Sequence, residues 1–145
     1  MRDKTKKTLI YILGVGVFLG AIYAATDYAD RKNKETPIVV TILPDLGSEF
    51  SNGKSLYETN CSVCHGVSLG GKKGLGPPFV HRNYAPGHHS DVAFNRAVSQ
   101  GVIAHHWQFG DMPAIGTLTR EDATQLISYI RAVQRANGII KLSTR

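Results

Sequence analysis

Cys61-Ser62-Val63-Cys64-His65 puts two thiols and an imidazole within five consecutive residues. Two cysteines at this spacing present both sulfurs to the two vinyl groups on one edge of a porphyrin. The histidine that follows then swings beneath the ring, so C-x-x-C-H is the attachment signature of a covalent haem c. In this reading Cys61 and Cys64 form the thioethers and His65 is the proximal iron ligand. A zinc site wants four ligands and a second cysteine pair, and a thioredoxin-like dithiol belongs near a βαβ pattern; the chain has neither. No other cysteines occur, so attachment consumes both and leaves none for a disulfide.

With His65 on one face of the iron, the opposite face is either filled or open. A filled face means electron transfer; a vacant one means a haem enzyme or gas sensor. Met112 is the candidate distal ligand: apart from Met1 it is the only methionine, and it sits in Gly110-Asp111-Met112-Pro113 between two expected helices. A thioether there raises the reduction potential relative to two nitrogens. His105 or His106 is the alternative ligand, since imidazole also binds iron well. Five histidines fall in this region: His81, His88, His89, His105 and His106. Adjacent side chains diverge, so each His-His pair by itself chelates poorly, and these residues read as surface or supporting groups that titrate between pH 5 and 8. Trp107 is expected to pack on the haem or to donate its indole N-H to a propionate. Arg82 and Tyr84 are further propionate candidates.

The elements that must position these groups are helical. Phe50, Gly53, Leu56 and Tyr57 recur at helical spacing and lead into Cys61. Ser90 caps a helix carrying Phe94, Ala97 and Val98 and stopped at Gly101. Thr119-Arg120-Glu121-Asp122 starts a longer helix with Leu126, Ile127, Ile130 and Val133 on one face, closed by Asn137-Gly138. No strand is expected. Between the first and second helices Gly66, Gly70, Gly71, Gly74 and Gly76 form a loop that nearly matches G-x-x-x-x-G-K. Lys73 stands where a phosphate loop needs Ser or Thr, and no strand precedes it, so these glycines read as a close backbone approach to the flat haem. The fold class is all-α: three to four short helices around one cofactor that supplies the apolar bulk a domain of this size lacks.

Residues 9–25 carry no charge, preceded by Arg2, Lys4, Lys6 and Lys7 and followed by Asp27 and Asp30. As a helix the run spans about 25 Å, and Thr8, Thr26 and snorkelling lysines extend it toward the roughly 30 Å of a hydrocarbon core. A secretory signal has an apolar region of about 7 to 15 residues and an A-x-A-like site, and no such site follows. The expected organisation is a cytoplasmic basic N-terminus at 1–8, a retained transmembrane anchor at 9–26, a periplasmic linker at 27–48, a domain at 49–141 and a tail at 142–145. The positive flank keeps the start in the cytoplasm of a bacterium and places the domain in the periplasm. The linker contains the charged run Asp30–Glu35, Pro37, Pro44 and the β-branched run Ile38–Leu43, which is expected to lie on the domain or on a partner.

The net charge of +6 divides into +2 over residues 1–48 and +4 over 49–145. With no aromatic-basic nucleic-acid motif, this modest excess points to an acidic protein partner and not to nucleic acid.

Residues 50–138 resemble a class I cytochrome c of the small bacterial type. The resemblance rests on Gly53, Leu56 and Tyr57 before the C-x-x-C-H, Gly76-Pro77 after it, Met112-Pro113, and Leu118-Thr119 with Leu126, Tyr129, Ile130 and Arg131. It implies that the first and last helices cross through Gly53 and Tyr57 against Leu126 and Tyr129, and that the Pro77 carbonyl accepts a hydrogen bond from His65. It also implies one-electron transfer between redox proteins, with His65 and Met112 both on the iron, no small-molecule substrate and no catalytic residue. Lys72, Lys73 and Lys54 are expected to help steer docking. A dedicated cytochrome subunit of a periplasmic dehydrogenase or oxidase complex is the alternative, with Ile38–Leu43 as its partner surface.

Overall fold

Thr119 and Asp122 cap each other: the Asp122 amide donates to the Thr119 hydroxyl (3.1 Å) and the Thr119 amide donates to the Asp122 carboxylate (3.0 Å). This reciprocal box starts helix α5, Arg120–Ala136, the long helix of the domain. Asn137 and Gly138, the latter at φ +76°, end it as expected. Ser90 likewise accepts from the Ala93 amide to start α4, Asp91–Gln100, which stops at Gly101. A 3-10 turn at Ser48–Phe50 runs into α2, Ser51–Asn60, and the attachment motif forms the short α3, Ser62–His65. A second 3-10 turn covers Arg82–Tyr84.

The computed structural model describes residues 2–33 and 38–139, with side chains described at 11–27 and 38–139. Pro37, the expected domain end at Lys141 and the tail 142–145 lie outside the described residues, as do the side chains of the basic N-terminus and of the Asp30–Glu35 run. The chain divides into two units, residues 1–35 and 36–145. The first is one helix, α1, Arg2–Asn33. Among the described residues no helix is long and apolar enough to cross a membrane, so the transmembrane anchor expected over 9–26 is not shown by the fold.

In the second unit α2 and α5 pack face to face. Gly53 is buried in the crossing, where a Cβ would collide with the Gln125 carbonyl and stand 2.9 Å from the Tyr129 Cβ. Any larger residue there separates the helices. The rings of Tyr57 and Tyr129 lie 5.8 Å apart beside it. Tyr57, Leu69, Leu126, Ile130 and Val133 form the centre of the core, and Phe94 and Val98 of α4 close one side. The unit is helical, with two isolated antiparallel bridges, Lys72 to Gly76 and Val102 to Met112, and no strand among the described residues.

The β-branched run expected in the linker lies along the domain. The Val39 amide donates to the Gly70 carbonyl (2.8 Å), and Asn137 brackets Ile42, accepting from its amide (2.8 Å) and donating to its carbonyl (2.7 Å). Alternate residues then face outward: Val40 is 99% exposed and Ile42 71%.

Candidate functional site

His65 is buried at the end of α3, and its Nδ1-H donates to the Pro77 carbonyl at 2.9 Å. That bond fixes the tautomer and leaves Nε2 as the nitrogen with a free lone pair. Burial holds the imidazole below its usual pKa, partly offset by the Pro77 carbonyl, so it is the neutral, ligating form. The Phe79 ring stacks on it at 4.1 Å and 19°. Phe79 escaped the sequence reading; its only signal is an aromatic residue two positions beyond Pro77.

Cys61 and Cys64 are free thiols. Burial, and then Cys64, push the Cys61 thiol up to about 11. It is therefore a weak nucleophile once the fold has closed. Both cysteines and His65 line a cavity of about 500 Å³, and Met112, Pro77 and Trp107 line it too. The structure thus brings the two cysteines, His65, Met112, Pro77 and Trp107 to one cavity. Most of the remaining wall is apolar, with Phe94 and Val98 from α4 and Ile115 and Leu126 from the region of α5.

Met112 is half-buried, and its backbone exchanges two hydrogen bonds of 2.9 Å with Val102. The bridge turns residues 102–112 into a strap whose stem is pinned. Gly101, at φ +77°, makes the approach possible: a Cβ there would sit 2.5 Å from the Met112 carbonyl oxygen. Trp107 hangs from the strap half-buried, edge-on to His81 at 5.0 Å and tilted against Tyr84 at 6.2 Å.

Two expectations need correction. None of Gly66, Gly70, Gly71, Gly74 and Gly76 lines the cavity. They allow backbone to meet backbone: a Cβ on Gly76 would stand 2.7 Å from the Cys64 carbonyl oxygen, and one on Gly70 would collide with that of Val39. The loop braces the attachment motif from behind. Arg82, proposed as a propionate partner, is exposed and off the cavity, whereas Tyr84 lines it, its hydroxyl raised to about 12 by burial. The polar groups that do reach the wall and were passed over are Asn60 and Arg96. The signal for Arg96 is its helical spacing from Ala93, which puts it on the face of α4 that also carries Ala97.

Two free thiols, one oriented imidazole and a thioether around one largely apolar cavity fit a covalent haem c. The family model described as cytochrome C oxidase, cbb3-type, subunit III, matches residues 48–130. No curated protein matches the chain.

Proposed function

The chain belongs to this family of c-type cytochromes, and from that premise we propose that it is a membrane-anchored monohaem electron carrier working between redox proteins in a bacterial periplasm. A cytochrome c domain makes it an electron-transfer protein with covalent haem c, not an enzyme with its own substrate. Bound haem c supplies a one-electron couple. The residues would do the rest: Cys61 and Cys64 would hold the haem by thioethers, His65 and Met112 would ligate its iron, and the Pro77 carbonyl orients His65 and would raise its basicity.

The carrying observation is that His65, with its tautomer fixed, and Met112, on its pinned strap, wall the same cavity. Spectra of the haem-loaded protein, oxidised and reduced, test it. The wild type is expected to show a sulfur-to-iron charge-transfer band that Met112→Ala loses, with a potential lower by on the order of 0.1 V within the roughly 0.8 V that axial ligands span. A band that survives in Met112→Ala, or is missing from wild type, ends the ligand assignment.

The anchor is supported by the uncharged run 9–25 and by α1 itself, on which Tyr11, Ile12, Val17, Phe18 and Tyr23 are all exposed. A helix that is apolar all round needs lipid or protein around it. Docking is supported near the attachment motif, where Lys72 reaches the Val63 carbonyl (3.2 Å) beside an exposed Val63 side chain, and Lys73 follows. Lys54 is spent in an exposed pair with Glu58. A cationic rim around apolar contacts suits a transient, salt-sensitive complex.

The outward apolar row of Ile38, Val40 and Ile42 favours a second reading, a dedicated subunit of an oxidase-like complex, as the family's description would suggest. Purification from detergent-solubilised membranes separates the two: the carrier is expected to purify alone, and a stable stoichiometric complex would replace it with the subunit.

A further inference from the structure

The two His-His pairs, with 15 residues between them, meet in space. The His88 and His106 Nε2 atoms lie 3.4 Å apart, and one ligand atom from each of His88, His89 and His106 lies within 4.8 Å of the others. The ring of His105 packs at 4.5 Å from His106 and 5.9 Å from His89. We propose that His88, His89 and His106 form a second metal site, for one divalent first-row ion of the imidazole-preferring kind, Zn(II) or Cu(II), at the edge of the haem cavity.

The local backbone makes the convergence. The amides of His88 and His89 both donate to the Ala85 carbonyl (2.8 and 2.9 Å), a turn that sets their rings 63° apart. On the strap, the Ala104 amide donates to the Asp111 carboxylate (2.9 Å) and His105 Nδ1 donates to the Ile103 carbonyl (2.9 Å), which presents His106 to the turn. A single pair diverges; one pair folded over the other does not.

The chemistry of the cluster is that of a transition-metal site. His89 Nδ1 donates to the Asn83 carbonyl, so its Nε2 is the free ligand atom, the outer contact that metal-bound histidines usually have. An N···N separation of 3.4 Å is long for a hydrogen bond. It matches the edge of a tetrahedron with metal-nitrogen bonds of about 2.0–2.1 Å, which is about 3.3 Å. Three nitrogens with no carboxylate among them select zinc or copper over calcium or magnesium. His105 or water completes the shell. His81 is outside it, its Nδ1 occupied in accepting from the Asn83 amide (3.2 Å).

Such an ion would tie the turn at residues 85–89 to the strap that carries Met112, and both segments wall the cavity. The test is calorimetric titration of Zn(II) into the chelator-treated, haem-loaded full chain, with the zinc absorption edge as second readout. One equivalent is expected to bind, with three or four nitrogen neighbours at about 2.0 Å. His88→Gln and His106→Gln should each weaken binding at least tenfold, and His81→Gln should not. Absence of binding, or equal binding by His106→Gln, overturns the site. The sulfur-to-iron band is expected to persist in these variants, which shows that they fold and separates this site from the Met112 assignment. A wild type without that band, whose bis-imidazole haem spectrum is lost in His106→Gln, would instead make His106 an iron ligand and refute the second site.

Discussion

A chain carrying both Cys61→Ala and Cys64→Ala is expected to emerge from the native maturation machinery with no added tetrapyrrole mass and no cooperative thermal transition. The first outcome follows from bond count, because no other cysteine exists to form a thioether. The second follows from volume. Without haem, a largely apolar cavity of about 500 Å³ is left to water in the middle of the domain, and apolar wall that stays wet contributes no burial to folding. Domains of this size hold only about 5–15 kcal/mol in all, so a loss of this kind is a large share of the total. The α2–α5 crossing does not depend on haem, since Gly53, Tyr57 and Tyr129 meet directly, so residual helix should persist while the α4 wall and the strap lose their partner. Mass spectrometry with a circular-dichroism melt checks both parts. A double variant that still melts cooperatively near the wild-type temperature would show that the domain holds its shape without the cofactor, contrary to the reading of the cavity as its missing core.

The fold was legible wherever signals are local. The caps at Ser90 and Thr119, the stops at Gly101 and Gly138, and the spacing of Gly53 and Tyr57 are written within one or two turns of chain, and the structure places α2, α4 and α5 on them. The attachment motif was equally plain because its chemistry needs consecutive residues. What was not legible depends on through-space partners. Gly76 faces Cys64 backbone and Gly70 faces Val39 backbone because residues 66–76 fold behind the motif, which spacing does not reveal. Each histidine pair by itself chelates poorly, and only the turn at Ala85 and the strap pinned at Val102 bring the two pairs together. Arg131 was visible only through the family resemblance, and its role is the least readable of all: a guanidinium in the middle of an apolar helix face says nothing of the carbonyls it will meet.

Those carbonyls make Arg131 the residue whose loss should destabilise the holoprotein most among the polar groups. It is 6% exposed. Its guanidinium donates to Asp91 (2.8 Å), to the Tyr84 carbonyl (2.7 Å), to Gln134 Oε1 (2.7 Å) and to the His89 carbonyl, while it lies 4.7 Å above the Phe94 ring. Gln134 in turn donates to the Phe79 and Tyr84 carbonyls (2.7 and 3.1 Å). Arg131, with Gln134 that it holds in place, therefore ties the segment from Phe79 to His89, which carries the His65 stacking partner and half of the histidine cluster, onto α5. Arg131→Met keeps the packing volume but strands the His89 carbonyl and Gln134 Oε1, at about 1–3 kcal/mol each. The expected loss is about 4 kcal/mol, or roughly 20 °C in melting temperature for a domain of this size. The ion pair is the minor part: the Asp91 side chain is 65% exposed, so Asp91→Asn should cost no more than about 1 kcal/mol. Arg131→Lys distinguishes charge from geometry, because an ammonium keeps the charge without the planar fork that reaches four acceptors, and it should fall close to Arg131→Met. Thermal melts of the three haem-loaded variants at low and high salt provide the measurement. If Lys restored most of the loss, or if Asp91→Asn matched Arg131→Met, the stabilisation would reside in the charge pair and the hydrogen-bonded hub would be the wrong account.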